Sequence, residues 1–110
     1  MDAKQFQKTA LRTANKNPDR GMRLANWGLG LSGEAGEAAE LIKKHVFHQH
    51  PLDRDALARE LGDVLWYVAV LAKEIDASLE DLMEINVLKL QKRYPKDFTP
   101  EASINRPSEG

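Results

Sequence analysis

The feature that most constrains the fold is an uncharged run of nine residues, VLWYVAVLA, at positions 64–72 of this 110-residue chain. Apolar residues around it recur at helical spacings of three and four, from Leu57 to Ile75. A helix that is apolar on every side is normally central and buried, and the few other helices of so short a chain cannot cover it fully. We therefore predict an all-α fold in which this helix packs at or near a subunit interface, in a homodimer or a tetramer.

Helical periodicity is also present in three other segments, whereas no segment alternates apolar and polar residues as a strand would. The sequence thus predicts a four-helix-bundle-like domain. Asp53 and Ser78 are the expected N-caps of the third and fourth helices, and Asp81 completes a capping box with Ser78. The first, third and fourth predicted helices extend over residues 2–15, 53–75 and 78–93. The second is predicted to start near Met22 or Leu24 and to end at about Val46.

The C-terminal end carries signals that stop a helix. Tyr94 precedes Pro95, and a residue before proline is biased away from helical angles. Prolines, serines and a glycine follow, at Pro100, Ser103, Pro107, Ser108 and Gly110. We therefore predict one domain over residues 1–95 and an irregular or disordered tail over residues 96–110.

Charge and composition exclude several classes of function. Sixteen basic and seventeen acidic residues give a net charge of -1, so no net positive field attracts a nucleic-acid backbone. The chain has no cysteine, which suits a reducing cytosol. It shows neither a signal-peptide core nor the roughly 20 apolar residues that span a bilayer. We expect a cytoplasmic protein that binds neither nucleic acid nor membrane.

Two predicted helices each carry a pair of acids three residues apart, Glu34 and Glu37 in GEAGE and Glu60 and Asp63 in ELGD. This spacing places both members of a pair on one helix face, so both pairs can point at one site. Four converging carboxylates repel one another unless cations neutralise them. Oxygen-only ligands suit Mg²⁺ or Mn²⁺, and Mg²⁺ is usually shared with the phosphates of a substrate. The sequence therefore indicates a polyphosphate substrate.

Most glutamates on helices face solvent, and Glu40 and Glu74 are assigned to such surface. Glu60 and Asp63 differ because they border the apolar stripe of the third helix, where partly buried acids need a partner. In the second helix, glycines at positions 28, 30, 33 and 36 weaken helical propensity. They indicate that another element or a ligand approaches the backbone closely. Their GxGxxG pattern lacks the preceding strand that dinucleotide binding requires.

The segments GLSGEAGEAAELIKK and ELGDVLWYVAVLAKEI resemble the MazG-like all-α nucleoside triphosphate pyrophosphohydrolases. The signature of that family is ExxE, a gap and ExxD, and the gap in this chain is 22 residues. The resemblance covers most of residues 22–94, including NVLKLQKRYP. It implies an α-helical bundle, at least dimeric, that hydrolyses a nucleoside triphosphate to the monophosphate and pyrophosphate. The implied magnesium ligands are Glu34, Glu37, Glu60 and Asp63.

The resemblance also implies roles for other residues. Glu37 is the candidate for orienting or deprotonating the attacking water. Asn86, Lys89 and Arg93 share one face of the fourth predicted helix and are implied phosphate contacts. Arg93 has the alternative role of stabilising the helix C-terminus. Trp27 has two interpretations, stacking on a nucleotide base or packing in the core.

Three functional hypotheses follow. The leading one is an Mg²⁺-dependent nucleotide pyrophosphohydrolase that removes unwanted (deoxy)nucleoside triphosphates as a house-cleaning enzyme. The second is phosphoribosyl-ATP pyrophosphohydrolase, from a related helical family. The third is a non-catalytic helical dimer that binds a nucleotide or a partner protein and uses its acids for solubility.

Overall fold

The computed structural model describes residues 1–106, which form five α-helices and contain no strand. The helices are α1 (Ala3–Thr13), α2 (Arg20–Phe47), α3 (Arg54–Glu74), α4 (Leu79–Arg93) and α5 (Pro100–Ile104). The all-α prediction is confirmed. The ends of α1, α3 and α4 fall within two residues of their predicted positions, whereas α2 begins two to four residues before its predicted start. Within the same range, no helix combines the length and the apolar character needed to cross a bilayer.

The predicted starts of α3 and α4 are accurate because capping is a local interaction. Each helix is preceded by a side chain that accepts a hydrogen bond from its first turn. The predicted Asp53 cap and the Ser78–Asp81 capping box are both present. Helix α2 begins earlier than predicted because the Asp19 carboxylate accepts hydrogen bonds from the backbone N–H groups of Gly21 and Met22.

The C-terminal segment differs from the predicted irregular tail at residues 100–104, which form α5. The Thr99 hydroxyl accepts a hydrogen bond from the Ala102 N–H at 3.0 Å. Pro100 occupies the first turn, where the N–H it lacks would have no helical partner. The remaining predicted tail residues Pro107, Ser108 and Gly110 lie outside the described residues.

Helices α2 and α3 form an antiparallel hairpin that positions all the acids. Its contacts advance along α2 in steps of three and four and return along α3 in the same steps, as in a coiled-coil seam. The seam residues are Arg23, Trp27, Gly30, Glu34 and Glu37 on α2, and Glu74, Val70, Tyr67, Asp63 and Glu60 on α3. The seam is thus apolar in its middle and charged at both ends.

The core lies over the apolar part of this hairpin. Trp27, Ala69 and Val70 are buried together with Ala10 of α1 and Leu79 at the start of α4. Because α1 brings Ala10 into this cluster, it closes the core on one side.

One buried amide joins α1 to the junction between α3 and α4. The Gln7 side-chain nitrogen donates to the carbonyl oxygens of Ala69 and Ala77 at 3.1 and 3.2 Å. Its oxygen accepts from the Leu79 N–H at 3.2 Å. Gln7 therefore ties α1 to backbone groups at the end of α3 and the start of α4.

Coverage of α3 is incomplete within one chain, because Leu65 in its uncharged run is 54% exposed. Neighbouring apolar side chains on α3 and α4 are also exposed: Leu61, Met83, Ile85, Val87, Leu88 and Leu90. An apolar groove of about 480 Å³ runs between α1, α3 and α4. The radius of gyration is 16.9 Å, against about 13 Å for a compact domain of this size.

Candidate functional site

The carboxylates of Glu34, Glu37 and Glu60 converge between α2 and α3. One oxygen of each lies within 4.8 Å of the others. Asp63 is close enough that its charge contributes to raising the pKa of Glu37 and Glu60. The structure therefore brings together Glu34, Glu37 and Glu60, and it places Asp63 near them without including its carboxylate in this group.

Interactions among the carboxyl groups themselves dominate the electrostatics of this cluster. A hydrogen bond shared with Glu60, and then repulsion from its charge, raise the pKa of Glu37. A hydrogen bond shared with Glu34 is the main cause that raises the pKa of Glu60. Two carboxyl groups share a hydrogen bond only when one carries a proton, so the cluster resists full ionisation. Among residues 1–106 the ion pair that forms is Arg23 with Glu74, away from these acids.

Two carboxylate oxygens in the cluster lack a hydrogen-bond partner among the described residues. One carboxylate oxygen of Glu34 and one of Glu60 are buried and accept no hydrogen bond from residues 1–106. Such oxygens are costly to bury unless a partner satisfies them. Several carboxylate oxygens within reach of a single point are the donor set that hard divalent cations prefer. The residues present therefore fit a Mg²⁺ or Mn²⁺ ion.

The predicted phosphate contacts on α4 do not join this cluster within the described part of one chain. Asn86 lines the apolar groove, and Lys89 lies on an outer surface of α4 with Leu88 and Lys92. The Nε atom of Arg93 is buried without a hydrogen-bond partner in residues 1–106. None of the three forms a described hydrogen bond or ion pair with the four acids.

Trp27 lies in the core, where it is 4% exposed. Its ring contacts the edge of Trp66 at a centroid distance of 5.5 Å, and its Nε1 donates to Glu74 at 3.3 Å. An indole enclosed in this way has no face for a base to stack on. Of the two interpretations of Trp27, the structure supports core packing.

The prediction that Glu74 faces solvent is wrong, whereas Glu40 is exposed as predicted. The Glu74 side chain is 11% exposed and accepts from Arg23 Nε at 2.8 Å and from a terminal nitrogen of Arg23 at 3.2 Å. These hydrogen bonds lower the pKa of Glu74. The sequence did hold a signal, because Arg23 and Glu74 continue the spacing of three and four set by the acidic pairs.

The close backbone approach predicted from the glycines of α2 occurs at Gly30. There the Tyr67 side chain of α3 fills the space that a Cβ would occupy. A Cβ added at Gly28, Gly33 or Gly36 would meet nothing within 4 Å in residues 1–106. Gly30 differs from the other three glycines because it occupies a position of the α2–α3 seam.

Residues 24–98 match the family model of the MazG nucleotide pyrophosphohydrolase domain. The chain is 40% identical over 82 residues to the Gene 37 protein of Mycobacterium phage L5, covering 71% of this chain and 72% of that protein. It is 33% identical over 73 residues to the uncharacterized protein YvdC of Bacillus subtilis (strain 168), covering 58% and 69% respectively. No solved structure matches the chain significantly. Because the matched span contains both acidic pairs and most of the helical bundle, the chain belongs to the MazG nucleotide pyrophosphohydrolase domain family.

Proposed function

We propose that the protein hydrolyses (deoxy)nucleoside triphosphates to the monophosphate and pyrophosphate in a Mg²⁺-dependent reaction. The observation that carries this proposal is the pair of buried, unpartnered oxygens of Glu34 and Glu60, within an acidic cluster that residues 1–106 do not neutralise. Membership of the MazG family supports a nucleotide as the substrate. In the cytoplasm, this activity would serve to remove unwanted nucleotides from the pool.

In this proposal Glu34, Glu37, Glu60 and Asp63 hold the metal ion. Bound Mg²⁺ lowers the pKa of water and stabilises negative charge on phosphoryl oxygens. Mn²⁺ has the same preference for oxygen ligands and is expected to substitute. No covalent nucleophile is required, because water itself supplies the attacking oxygen.

Glu37 is the proposed proton acceptor. It is the exposed member of the three converging glutamates, so it can reach a water molecule that enters from solvent. The water oxygen bonds to one phosphorus of the anhydride between the α- and β-phosphates. The bridging oxygen leaves with the other phosphate group, and the proton lost by water passes to Glu37.

We further propose that Asn86, Lys89 and Arg93 contact phosphates, and that a homodimer or tetramer brings them into place. The apolar side chains exposed on α3 and α4, Leu65 among them, support an oligomer. Sedimentation equilibrium at micromolar concentration tests this assembly. A monomer that is fully active would contradict it.

The test of the activity is pyrophosphate release from canonical and modified nucleoside triphosphates, measured with Mg²⁺ and then with a chelator. The wild-type chain is expected to release pyrophosphate only with the metal. Glu37→Gln is expected to lower the rate at least about a hundredfold, the usual contribution of a positioned proton acceptor. Glu40→Gln changes an exposed glutamate one turn further along α2 and is expected to keep wild-type activity.

The same panel should include phosphoribosyl-ATP, so that the alternative substrate is measured under identical conditions. Release from that compound alone would replace the nucleoside triphosphate proposal. A folded wild-type chain that releases no pyrophosphate from any member of the panel would favour the non-catalytic hypothesis.

A further inference from the structure

The Tyr67 ring of α3 lies directly against the backbone of α2 at Gly30. A Cβ built at Gly30 would overlap that ring and would lie 2.7 Å from its hydroxyl oxygen. Cβ atoms in real proteins essentially never approach another atom so closely, so any side chain at position 30 requires the Tyr67 ring or the two helices to shift. At Gly28, two residues earlier on the same helix, a Cβ would meet nothing within 4 Å in the described part of the chain.

Other aromatic side chains hold the Tyr67 ring in place. Trp66 meets it edge-on, with ring centroids 4.9 Å apart and planes at 84°. Trp27 lies at 6.4 Å on another side and is itself buried in the core. Because Trp66 and Trp27 both pack near this ring, a shift of the Tyr67 ring would change its contacts with these neighbours.

This contact lies one helical turn from the acidic cluster. Gly30 is four residues before Glu34 on α2, and Tyr67 is four residues after Asp63 on α3. Four residues correspond to about 6 Å along a helix axis. Ligands must sit within about 0.2 Å of their proper distances from a metal ion. A change in helix separation at Gly30 would therefore alter the distance between the acids on α2 and those on α3.

We propose that Gly30 and Tyr67 act together as a spacer that sets the separation of α2 and α3 at the carboxylate cluster. Tyr67 is thus a positioning residue, which acts on the metal site through the helices rather than by touching the ion. This inference rests on the proposed function, because it assumes that the four acids bind Mg²⁺ or Mn²⁺.

The primary test compares Mn²⁺ and Mg²⁺ binding to the full chain in Gly30→Ala and Gly28→Ala, by calorimetry and by electron paramagnetic resonance of Mn²⁺. Both variants add one methyl group to the same helix and gain the same helical propensity. Gly30→Ala is expected to weaken metal binding about tenfold, the lower range found when groups that support metal ligands are removed. Gly28→Ala is expected to bind metal as the wild type does.

A second-site variant separates spacing from a general loss of structure. Leucine is shorter than tyrosine, so Tyr67→Leu makes room for the methyl group of Gly30→Ala. The double variant is expected to regain most of the lost metal affinity. Tyr67→Phe keeps the ring that overlaps the methyl group, so it is expected to restore little. Losses that simply add in the Gly30→Ala, Tyr67→Leu double variant would overturn the spacer.

The remaining outcomes are also decisive. If Gly30→Ala folds and binds Mn²⁺ as tightly as the wild type, the spacer is overturned and the proposed function is unaffected. A wild-type chain that binds no divalent metal would overturn the proposed function and the spacer with it. Should Gly30→Ala not fold, Tyr67→Leu alone is expected to bind metal more weakly than Tyr67→Phe, because only leucine removes the ring that sets the helix separation. Equal affinities of those two variants would overturn the spacer.

Discussion

The two ends of the α2–α3 seam carry charges in opposite arrangements. At one end the guanidinium of Arg23 lowers the pKa of Glu74 through hydrogen bonds. At the other end carboxyl groups meet one another, and interaction with Glu34 raises the pKa of Glu60. Both ends follow the same spacing of three and four residues. One helix pair can therefore stabilise itself at one end while it keeps an unsatisfied site at the other.

The difference assigns separate tasks to the two ends. The Arg23–Glu74 pair is satisfied within the chain and contributes to folding without help. The acidic cluster opposes folding when it is ionised, and a bound cation would remove that opposition. An ion that binds the folded state stabilises it, so metal binding would raise the free energy of unfolding. This coupling would arise at the acidic end, where the carboxylates lie.

The largest expected effect comes from Glu60→Gln, which removes one carboxylate from the acidic end. Groups that merely support metal ligands are worth 10- to 100-fold in affinity, so loss of a ligand is expected to weaken Mn²⁺ binding by at least about a hundredfold. In a chelator the same variant is expected to unfold at a higher temperature than the wild type, because repulsion is reduced. A lower unfolding temperature in the chelator would show that the cluster is not repulsive.

Arg23→Met tests the opposite end and should leave metal affinity unchanged. It strips the nearly buried Glu74 carboxylate of its cation, which is expected to lower the free energy of unfolding by about 2 to 3 kcal/mol. Arg20→Met is the matched control, because Arg20 is exposed and donates to the Glu74 carbonyl oxygen at 2.9 Å. Its expected cost is below about 1 kcal/mol. Urea unfolding measures both, and a parallel loss of metal affinity in Arg23→Met would argue against independent ends.

The smallest expected effect is a difference in the sign of pH dependence in a chelator. Glu37 and Glu60 bind protons more tightly in the folded chain than at their ordinary pKa of 4.5. Their contribution to stability is therefore complete below about pH 4.5 and is lost as pH rises through the raised values. Glu74, with its lowered pKa, contributes stability above about pH 4.5 that is lost as pH falls.

Urea unfolding between about pH 3 and pH 7 in a chelator measures this difference in sign. The double variant Glu37→Gln, Glu60→Gln is expected to lose the decline toward neutral pH, and Glu74→Gln the decline toward acid. If the free energy of unfolding of the wild type and of the double variant changed with pH in parallel, the acidic cluster would not be the cause of the decline.

The sequence predicted what depends on local interactions. The starts of α3 and α4 were accurate because the side chains of Asp53 and Ser78 bond to backbone groups within the first turn. The convergence of the acids followed from a spacing of three on each of two helices. The short helix α5 lies within the predicted irregular tail. The signals at Tyr94 and Pro95 end α4, but Thr99 and Pro100 supply an N-cap and a first turn that start another helix.

What the sequence did not predict depends on how α2 and α3 align. Glu40 and Glu74 both look like surface acids, and only the register of the hairpin places Glu74 on the seam and Glu40 off it. The same register distinguishes Gly30 from Gly28. Aligning the two acidic pairs first, and extending their spacing along both helices, would have identified Tyr67 and Arg23 as seam residues.

The loop between α2 and α3, residues 48–53, lies at the acidic end of the hairpin. Short loops close quickly during folding, so the contacts of a helical hairpin would normally form first near its loop and then extend away from it. Among the seam residues defined above, those nearest the loop are the carboxylates of Glu37 and Glu60, which repel one another. We expect folding to begin instead at the aromatic residues Trp27 and Trp66, so that the acidic end closes last. Faster refolding in Mg²⁺ than in a chelator would show that the ion assists this final step as well as the chemistry.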